Sequence, residues 1–382
     1  MEFPVQYIDD QAELKKVVDH LLNKESIAID LEFDKNHYRY GFNLCLMQVF
    51  DGETCFLIDP LGDLQIETIF PVLENESISK LCFAFNEDMR LLTYMGAKVR
   101  SICDLAIARI ITGKEALSLS NTLVDELNLK EQISQQKSNW FQRPLTKEQK
   151  HYAALDVIDL YDLKSTLFDQ LNEQGRFKWF EEEMQQFEAQ NWEAAPFEIV
   201  PEKDRKDLTL RQWMRFEVLM NLRDEFSKAL NRPAFKVIDK NIIKEIAIDP
   251  KNLEKWSNTK RIHPKYRNDR IKKQLRDALK HVDLDIANRN ISAHESAKKR
   301  LSHEEKLLRN QRRARMNKLK EDFFKPVKIR LSERIGDPLT NFILSNRRIQ
   351  EIAYGQTELL PYQRDLIRKI AEDLGLNIPE II

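Results

Sequence analysis

The sequence has 382 residues, of which 42% are hydrophobic, with nine Gly and 13 Pro, so collagen-like and low-complexity architectures are excluded. At roughly 100–200 residues per domain, this length predicts two or three domains. The formal net charge of −1 conceals two opposite halves, because residues 1–200 carry 19 basic and 35 acidic side chains and residues 201–382 carry 42 basic and 27 acidic. This asymmetry indicates an anionic partner, such as a nucleic acid, for the second half.

The sequence has the features of a cytoplasmic protein. Its N-terminal segment lacks a basic region followed by an apolar one, so we expect no signal peptide. The sequence contains no run of about 18 apolar residues, so we expect no membrane span. Four cysteines lie in the first 103 residues, without a CxxC pair or zinc-ligand spacing, and we expect buried, reduced thiols: Cys45, Cys55, Cys82 and Cys103.

The first half alternates between predicted strands and predicted helices. Short apolar runs predict strands at 26–33, 43–50, 54–59 and 80–85. The dipeptide Asp51-Gly52 between the second and third runs indicates a hairpin. Helical periodicity follows at 87–95, 102–112 and 120–128. A strand meander followed by strand–helix alternation predicts a mixed sheet covered by helices.

A long helix is expected to begin at Thr146. The string Thr146-Lys147-Glu148-Gln149 has the form of a capping box, and Pro144 just upstream prevents an earlier helix from continuing into it. Residues 174–205 are acidic and aromatic, then contain proline, which predicts a domain boundary near residue 200.

From about residue 208 the pattern is helical, with no convincing strand. Residues 298–320 are strongly basic, with ten Lys and Arg against two Glu. Such a run is typical either of a solvated helical linker or of an arm that contacts RNA, and the sequence leaves both interpretations open.

Two groups of acidic residues in the first half are candidate metal ligands. Period-two alternation places Asp30 and Glu32 on one face of the first predicted strand, where they repel each other unless a cation lies between them. A solvated strand edge is the alternative. Asp88 stands in the first turn of a helix, where it either binds metal or complements the helix dipole, and Glu87 beside it is a competing candidate.

A third acidic position lies in the helix that begins at Thr146. Asp156 follows Tyr152 by four residues, so the two side chains project about 40° apart around the helix. A phenol beside a carboxylate is suited to orienting water near a metal. An ordinary surface pair of Tyr and Asp has the same spacing.

Together these motifs resemble the DEDD 3′–5′ exonuclease superfamily and, within it, the ribonuclease D family. The first motif is similar to Asp30-Leu31-Glu32-Phe33, and the second to NEDMRLL, which contains Asp88. The string DLAIARIITG, headed by Asp104, also resembles a helix of the family. The third motif, W-x-x-RPL-x-x-x-Q-x-x-YAA-x-DV, matches Trp140, Arg143-Pro144-Leu145, Gln149, Tyr152-Ala153-Ala154 and Asp156-Val157.

The resemblance implies an α/β ribonuclease H-like exonuclease domain, a mixed sheet covered by helices, followed by all-α HRDC-type helical domains. On this basis we expect an exonuclease domain at 1–200 and an HRDC-type helical domain at 205–290, the latter containing the string NRPAFKVI. A basic helical linker is expected at 291–324, and a second, diverged HRDC-like module at 325–382.

The resemblance also implies a metal-dependent 3′–5′ exoribonuclease that releases 5′-mononucleotides from RNA 3′ ends, in tRNA 3′-end processing. Asp30, Glu32, Asp88 and Asp156 would hold two divalent metal ions, Mg²⁺ or Mn²⁺, and Tyr152 would hold the attacking water. The expected partner is structured RNA with a single-stranded 3′ end, such as a tRNA precursor. No membrane and no obligate protein partner are expected.

The superfamily has one branch with Tyr four residues before the last Asp and another with His five residues before it, and His151-Tyr152 satisfies both spacings. Residues five apart on a helix point about 140° away from each other, so we predict that Tyr152 faces the site and His151 faces solvent. Phe83 stands where the family usually has His, and the loop ISQQKSNW lacks the usual Asp-Lys pair.

The candidate nucleic-acid contacts are Phe33, Trp140, Arg143, Lys272 and Lys273. Three alternative functions remain open at this point: a DNA-directed exonuclease of the same superfamily, a catalytically inert RNA-binding scaffold, and a structural helical protein. The sequence does not locate contacts to the 2′-hydroxyl, which distinguish RNA from DNA.

Overall fold

A computed structural model describes nearly the whole chain. The described ranges are 3–131, 133–193, 197–298 and 302–382. Residues 194–196 of the predicted domain boundary and residues 299–301 of the predicted basic linker lie outside them.

The chain forms two compact units that do not follow sequence order. The first contains Met1–Glu32, Leu44–Ala194 and Glu305–Ile382. The second contains Phe33–Asn43 and Ala195–Glu304. The exonuclease-like region and the C-terminal helices therefore belong to one unit.

A six-stranded sheet with the order β1-β4-β3-β2-β5-β6 organises the first half of the chain. β3 and β4 are antiparallel, whereas β1 with β4, β2 with β5, and β5 with β6 are parallel. The strands are β1 (Val5–Asp10), β2 (Ser26–Lys35), β3 (Phe42–Phe50), β4 (Cys55–Asp63), β5 (Ser79–Cys82) and β6 (Ile102–Asp104). The expected mixed sheet is confirmed.

The hairpin expected at Asp51-Gly52 is also confirmed. β3 and β4 pair with Gln48 opposite Leu57. The Asp51 carboxylate accepts a hydrogen bond from the backbone N–H of Thr54 at 2.7 Å, while Gly52 adopts a φ of +93°, which its missing side chain permits. The turn thus fixes the register of the two longest runs of buried strand.

The sequence interpretation missed two of the six strands. β1 has the sequence VQYIDD, which contains no apolar run, and only Ile8 of this strand is buried. β6 has three residues and continues directly into a helix, where the sequence pattern had predicted helix from residue 102. Short strands of this kind depend on pairing with neighbours more than on their own residues.

In the described residues of the first half, eight α-helices accompany this sheet. The capping box at Thr146 and Gln149 is confirmed, although the helix divides at Asp159 into two. All four cysteines are buried and free, as expected. The helices are α1 (Gln11–Leu21), α2 (Phe70–Glu74), α3 (Asn86–Tyr94), α4 (Leu105–Ile111), α5 (Leu119–Leu127), α6 (Lys147–Ile158), α7 (Leu160–Glu173) and α8 (Phe177–Ala189).

The second unit contains the end of β2 and the start of β3, while its described residues from 197 to 298 have helices and two isolated bridges, at Thr209–Ser296 and Ile238–Ile262. Its core is built around Trp213, Phe216 and Trp256. Its helices are α9 (Leu210–Leu230), α10 (Ala234–Val237), α11 (Lys240–Ile248) and α12 (Asp269–Asn288).

The C-terminal region is helical as well, so the expected helical second half is confirmed. No helix in the described ranges has the length and apolar character needed to cross a bilayer. The remaining helices are α13 (His303–Leu319), α14 (Lys325–Ile335), α15 (Asp337–Ile343), α16 (Asn346–Ala353) and α17 (Pro361–Asp373).

A buried polar contact attaches α17 to α8. The Glu183 carboxylate accepts hydrogen bonds from the Tyr362 hydroxyl at 2.5 Å and from the Gln363 amide at 2.6 Å. The Tyr362 ring also stacks on Trp179, with ring centroids 5.1 Å apart and planes 16° apart. Because a buried carboxylate needs donors in the right positions, this contact fixes how α17 packs on α8.

We predict that Glu183→Ala lowers the free energy of unfolding by about 2–4 kcal/mol, because Tyr362 and Gln363 would be left without their acceptor in a buried site. Urea unfolding followed by tryptophan fluorescence measures this change. Glu181→Ala, an exposed position on the same helix, is the matched control and should change stability by less than about 0.5 kcal/mol. Equal effects of both variants would contradict the proposed importance of the contact.

Candidate metal centre

β2 supplies two carboxylates that face the same side of the sheet. Asp30 and Glu32 alternate with Ile29 and Leu31, which are 1% and 5% exposed in the core. The carboxylate oxygens of Asp30 and Glu32 lie within 4.8 Å of each other and of a carboxylate oxygen of Asp156. The structure therefore brings together three acidic residues from two distant parts of the sequence.

Asp156 comes from α6, the helix that begins with the capping box. Tyr152 precedes it by one turn, and a hydrogen bond between the two side chains favours the ionised form of Asp156. His151 is exposed to solvent, on a different side of α6 from Tyr152. The helix geometry expected from the sequence thus places the phenol, and not the imidazole, beside the carboxylates.

Asp88, in the first turn of α3, is not part of this group of three but lies near it. Its charge interacts with those of Asp30 and Glu32, so the four carboxylates form one electrostatic cluster. The turn before α3 is held by Asp104, whose carboxylate accepts hydrogen bonds from the N–H groups of Ala84 at 2.8 Å and Phe85 at 2.9 Å.

The part played by Asp104 was not identified from the sequence, where it was noted only as the head of a similar helix. Its carboxylate also accepts from the N–H of Ala106 at 2.9 Å and so caps α4. Asp104 is fully buried and links the start of α3 to the start of α4. An Asp directly before a helix is the signal that indicates such a cap.

Burial and the charges of neighbouring acidic residues disfavour the ionised forms of all four carboxylates. Burial first, and then the charge of Asp88, raises the pKa of Asp30 well above its usual range. Burial and the charges of Asp30, Asp156 and Asp88 have the same effect on the pKa of Glu32.

The two carboxylates contributed by helices are affected in the same direction. Burial raises the pKa of Asp88 to about 7, and the charge of Asp104 contributes to this rise. Burial, followed by the charge of Asp30, raises the pKa of Asp156 to about 8. Four acids with raised pKa values at one place form a site that a bound cation would stabilise.

The donor set fits hard divalent cations such as Mg²⁺ or Mn²⁺, because these ions prefer carboxylate oxygen. Cys82 lies near enough for the charges of Asp88 and Asp30 to affect it, but burial holds the pKa of its thiol well above the usual range. The Cys82 thiol donates a hydrogen bond to the carbonyl of Cys103 instead. A neutral thiol is a poor metal ligand, so the site does not suit zinc.

Tyr152 remains protonated at neutral pH. Burial and the charges of Asp156 and Glu32 raise the pKa of its phenol well above the usual value, while a hydrogen bond with Ser134 opposes this shift. Its ring packs near that of Trp140, with centroids 6.3 Å apart. Ser134 was not identified from the sequence, since the loop that contains it lacks the strings usual in the family.

Arg143 connects the loop before α6 to the sheet. It makes a two-pronged ion pair with Asp59, at 2.5 and 2.6 Å. Its remaining N–H groups donate to the carbonyls of Cys45, Trp140 and Gln142, at 2.7, 2.8 and 2.8 Å. All five N–H groups of the guanidinium thus have partners inside the protein.

The other candidate nucleic-acid contacts have varied surroundings. Trp140 is 3% exposed and packs beneath Tyr152. Phe33 is half-buried against Phe42, with ring centroids 5.3 Å apart. Lys272 pairs with Glu254 at 2.6 Å, whereas Lys273 is exposed.

Comparisons with known proteins agree with this arrangement. Residues 5–172 match the family model described as 3′-5′ exonuclease. The chain is 33% identical over 181 residues to "Ribonuclease D" of Shewanella sp. (strain ANA-3), covering 47% of this chain and 46% of that relative. It is 26% identical over 314 residues to "Ribonuclease D" of Desulfotalea psychrophila, covering 78% and 80%. The match to the Shewanella protein thus spans about half of that relative's length.

Solved structures show the same fold. The crystal structure of Escherichia coli RNase D, described as an exoribonuclease involved in structured RNA processing, matches with a TM-score of 0.69 at 19% identity, over 98% of this chain and 99% of that one. The catalytic core of RRP6 from Trypanosoma brucei matches with a TM-score of 0.60 at 21% identity, over 74% and 80%.

We predict that Asp30→Asn raises the melting temperature of the metal-free protein, because it removes one of four mutually repelling buried carboxylates. Mn²⁺ at about 100 times its Kd should stabilise the wild type by about 2.7 kcal/mol and the variant much less. Scanning calorimetry in EDTA and in Mn²⁺ measures both effects. Glu25→Gln, an exposed residue just before β2, is the control. The same Mn²⁺-induced shift in wild type and Asp30→Asn would argue against the metal centre.

Proposed function

We propose that this chain, which is similar to proteins of the ribonuclease D family, is a metal-dependent 3′–5′ exoribonuclease that releases 5′-mononucleotides from RNA. The observation that carries this proposal is the cluster of Asp30, Glu32 and Asp156, with carboxylate oxygens within 4.8 Å of one another, beside Asp88 and Tyr152. We further propose structured RNA with a single-stranded 3′ end as its substrate, and tRNA 3′-end processing as its role.

Asp30, Glu32, Asp88 and Asp156 are the residues that would hold two Mg²⁺ or Mn²⁺ ions. When bound, such ions would neutralise the charge of the phosphate and of the oxygens that attack and leave. The protein's own contribution is to fix these four carboxylates on a strand and two helices, so that little reorganisation accompanies the reaction.

Tyr152 would position the attacking water. Its phenol keeps its proton, because burial and the neighbouring carboxylates raise its pKa, so it acts through hydrogen bonds and not as a base. Trp140 packs against its ring, and Ser134 provides a hydrogen bond to its hydroxyl. Arg143 supports this arrangement indirectly, by holding the loop that contains Trp140 against Asp59.

A DNA-directed exonuclease remains the second candidate, because the same carboxylates would support hydrolysis of either RNA or DNA. The presence of all four acids and Tyr152 argues against an inert scaffold. It also argues against a purely structural helical protein, which would have no use for a cluster of buried, repelling carboxylates.

A basic surface on α13 is suited to holding the RNA backbone. Its cations line a groove of about 1680 Å³ that is also lined by residues 375–377 and 379–381. Five basic and three acidic side chains line this groove: Arg309, Arg312, Arg313, Arg315 and Lys318, with Glu305, Asp322 and Glu380. Within the described ranges no carboxylate pairs with the four arginines, which leaves them available for phosphate.

We predict that Asp156→Asn lowers the single-turnover rate of nucleotide release by about 10²–10³-fold or more, because it removes charge needed to hold the cations. Tyr152→Phe should lower the rate by about 10–100-fold with unchanged RNA affinity, since it removes a positioning hydroxyl. The assay is release of mononucleotides from a 3′-labelled RNA in Mg²⁺ or Mn²⁺, with EDTA as the metal-free reference.

His151→Ala is the matched control for these variants, since it changes the exposed neighbour of Tyr152 and should retain wild-type rates. Wild-type rates from purified Asp156→Asn would refute the proposed function. Matched RNA and DNA oligonucleotides, digested side by side, decide between the two candidates, and end-labelled tRNA precursors with and without Mg²⁺ test the proposed substrate.

We predict that changing the four groove arginines to Gln weakens RNA binding and flattens its dependence on salt. The slope of log affinity against log salt concentration should fall by about 0.7 for each phosphate of a single strand that the arginines no longer neutralise. Fluorescence anisotropy at several salt concentrations measures this slope. The control changes four cations that already pair with acids, Lys325, Arg330, Arg334 and Arg347, to Gln. If both quadruple variants weaken binding equally, general charge and not the groove determines affinity.

A further inference from the structure

Three aromatic rings lie exposed beside one another in the second unit. The rings of His37 and Tyr38 meet edge to face with centroids 4.7 Å apart, and that of His37 lies 6.3 Å from the ring of Phe235. Tyr38 is 36% exposed and Phe235 is 55% exposed. The loop after β2 provides two of these rings and α10 provides the third.

A single lysine links two of the rings. The Lys236 ammonium lies 5.2 Å from the centroid of Tyr38 and 5.6 Å from that of Phe235. Lys236 itself is exposed. We call the surface formed by His37, Tyr38, Phe235 and Lys236 the aromatic platform. It combines π-faces with a cation, which distinguishes it from an ordinary apolar patch.

More positive charge surrounds α10. The backbone N–H of His263 donates to the carbonyl of Val237, the last residue of α10, at 2.8 Å. Burial, followed by the charges of Arg232, Lys265 and Arg267, lowers the pKa of His263. Each of these cations therefore lies near His263, which is hydrogen-bonded to the end of the helix that carries Phe235, and their positive charge favours an anionic ligand.

The loop that carries the platform is fixed by polar contacts. The Asp34 carboxylate accepts hydrogen bonds from the backbone N–H groups of His37, Tyr38 and Arg39, at 3.3, 3.0 and 3.1 Å. The Tyr40 hydroxyl donates to Asp224 of α9 at 2.8 Å. The exposed rings are thus held in place before any ligand arrives, which lowers the entropic cost of binding.

We propose that the aromatic platform stacks unpaired bases of single-stranded RNA while the adjacent cations contact its phosphates. Every base has a π-face, so such a surface binds single strands with little dependence on sequence. The ring–cation composition favours this ligand over a protein partner, because a cationic aromatic surface complements bases joined by phosphates. This inference rests on the proposed function for its choice of RNA.

The loop that carries the platform follows, along the backbone, the strand that carries Asp30 and Glu32. Asp34, which fixes the loop, follows Glu32 by two residues on β2. A strand that carries two carboxylates therefore continues into the loop that presents two of the rings.

The test is equilibrium binding of the intact chain to a fluorescein-labelled 12-nucleotide single-stranded RNA, followed by anisotropy in EDTA. Phe235→Leu and Tyr38→Leu keep apolar bulk but remove a ring, and each should weaken binding about 5–100-fold. Phe235→Trp should retain affinity. Tyr94→Leu, which changes an equally exposed aromatic residue of the first unit, is the matched control and should bind as the wild type does.

An RNA of the same length with abasic sites separates stacking from phosphate contact. The platform predicts that wild type and Phe235→Leu bind this abasic RNA equally. Unchanged affinity of both Leu variants for the normal RNA, or an equal loss on the abasic RNA, would overturn the proposal. So would a change confined to self-association in sedimentation, which would assign the surface to a second copy of the chain.

These outcomes are independent of catalysis, since EDTA removes the metal that hydrolysis requires. If ring removal weakens RNA binding but the wild type hydrolyses no RNA, the platform stands and the proposed function fails. If hydrolysis is normal and the Leu variants bind normally, only the platform fails. Circular dichroism and melting temperature confirm that each variant is folded, which the exposure of both side chains leads us to expect.

Discussion

Repulsion among four buried carboxylates is the constraint on which the rest of the first unit depends. Asp30, Glu32, Asp88 and Asp156 would separate or remain protonated if the surrounding elements were free to move, because burial and mutual charge both disfavour ionisation. The fold prevents separation by placing two of them on a central strand and the others in two helices that are fixed at their N-terminal ends. A cation bound between these carboxylates would relieve their repulsion, and this relief would make binding more favourable.

The fixing contacts lie outside the cluster and are themselves polar and largely buried. Asp104 holds the turn before α3, and Gln149 completes the capping box of α6 while its amide donates to Ser138 at 3.0 Å. Arg143 joins the preceding loop to Asp59, which also accepts a hydrogen bond from the Tyr7 hydroxyl. The helices that carry Asp88 and Asp156 are therefore held by contacts that lie outside the cluster.

The sequence predicted correctly those features that depend on residues close together in the chain. The hairpin at Asp51, the capping box at Thr146 and the orientation of Tyr152 relative to His151 follow from turn chemistry and helical geometry, and the structure has all three. β6 depends on pairing with β5, and Arg143 depends on Asp59, 84 residues away in sequence, so neither could be read from neighbouring residues. The sequence shows Arg143 only as part of a motif, whereas its hydrogen-bond partners are set by tertiary structure.

The distribution of charge between the two folded units differs from the distribution between the two halves of the sequence. A cut at residue 200 leaves a strongly acidic half, but residues 305–382 belong to the first unit and contribute 16 basic and 11 acidic side chains to it. The second unit has 28 basic and 18 acidic side chains. Each unit thus has its own positive surface, α13 in the first and the surroundings of α10 in the second. A polyanion can then meet cations on whichever unit it reaches first, and the acidic centre does not have to attract it unaided.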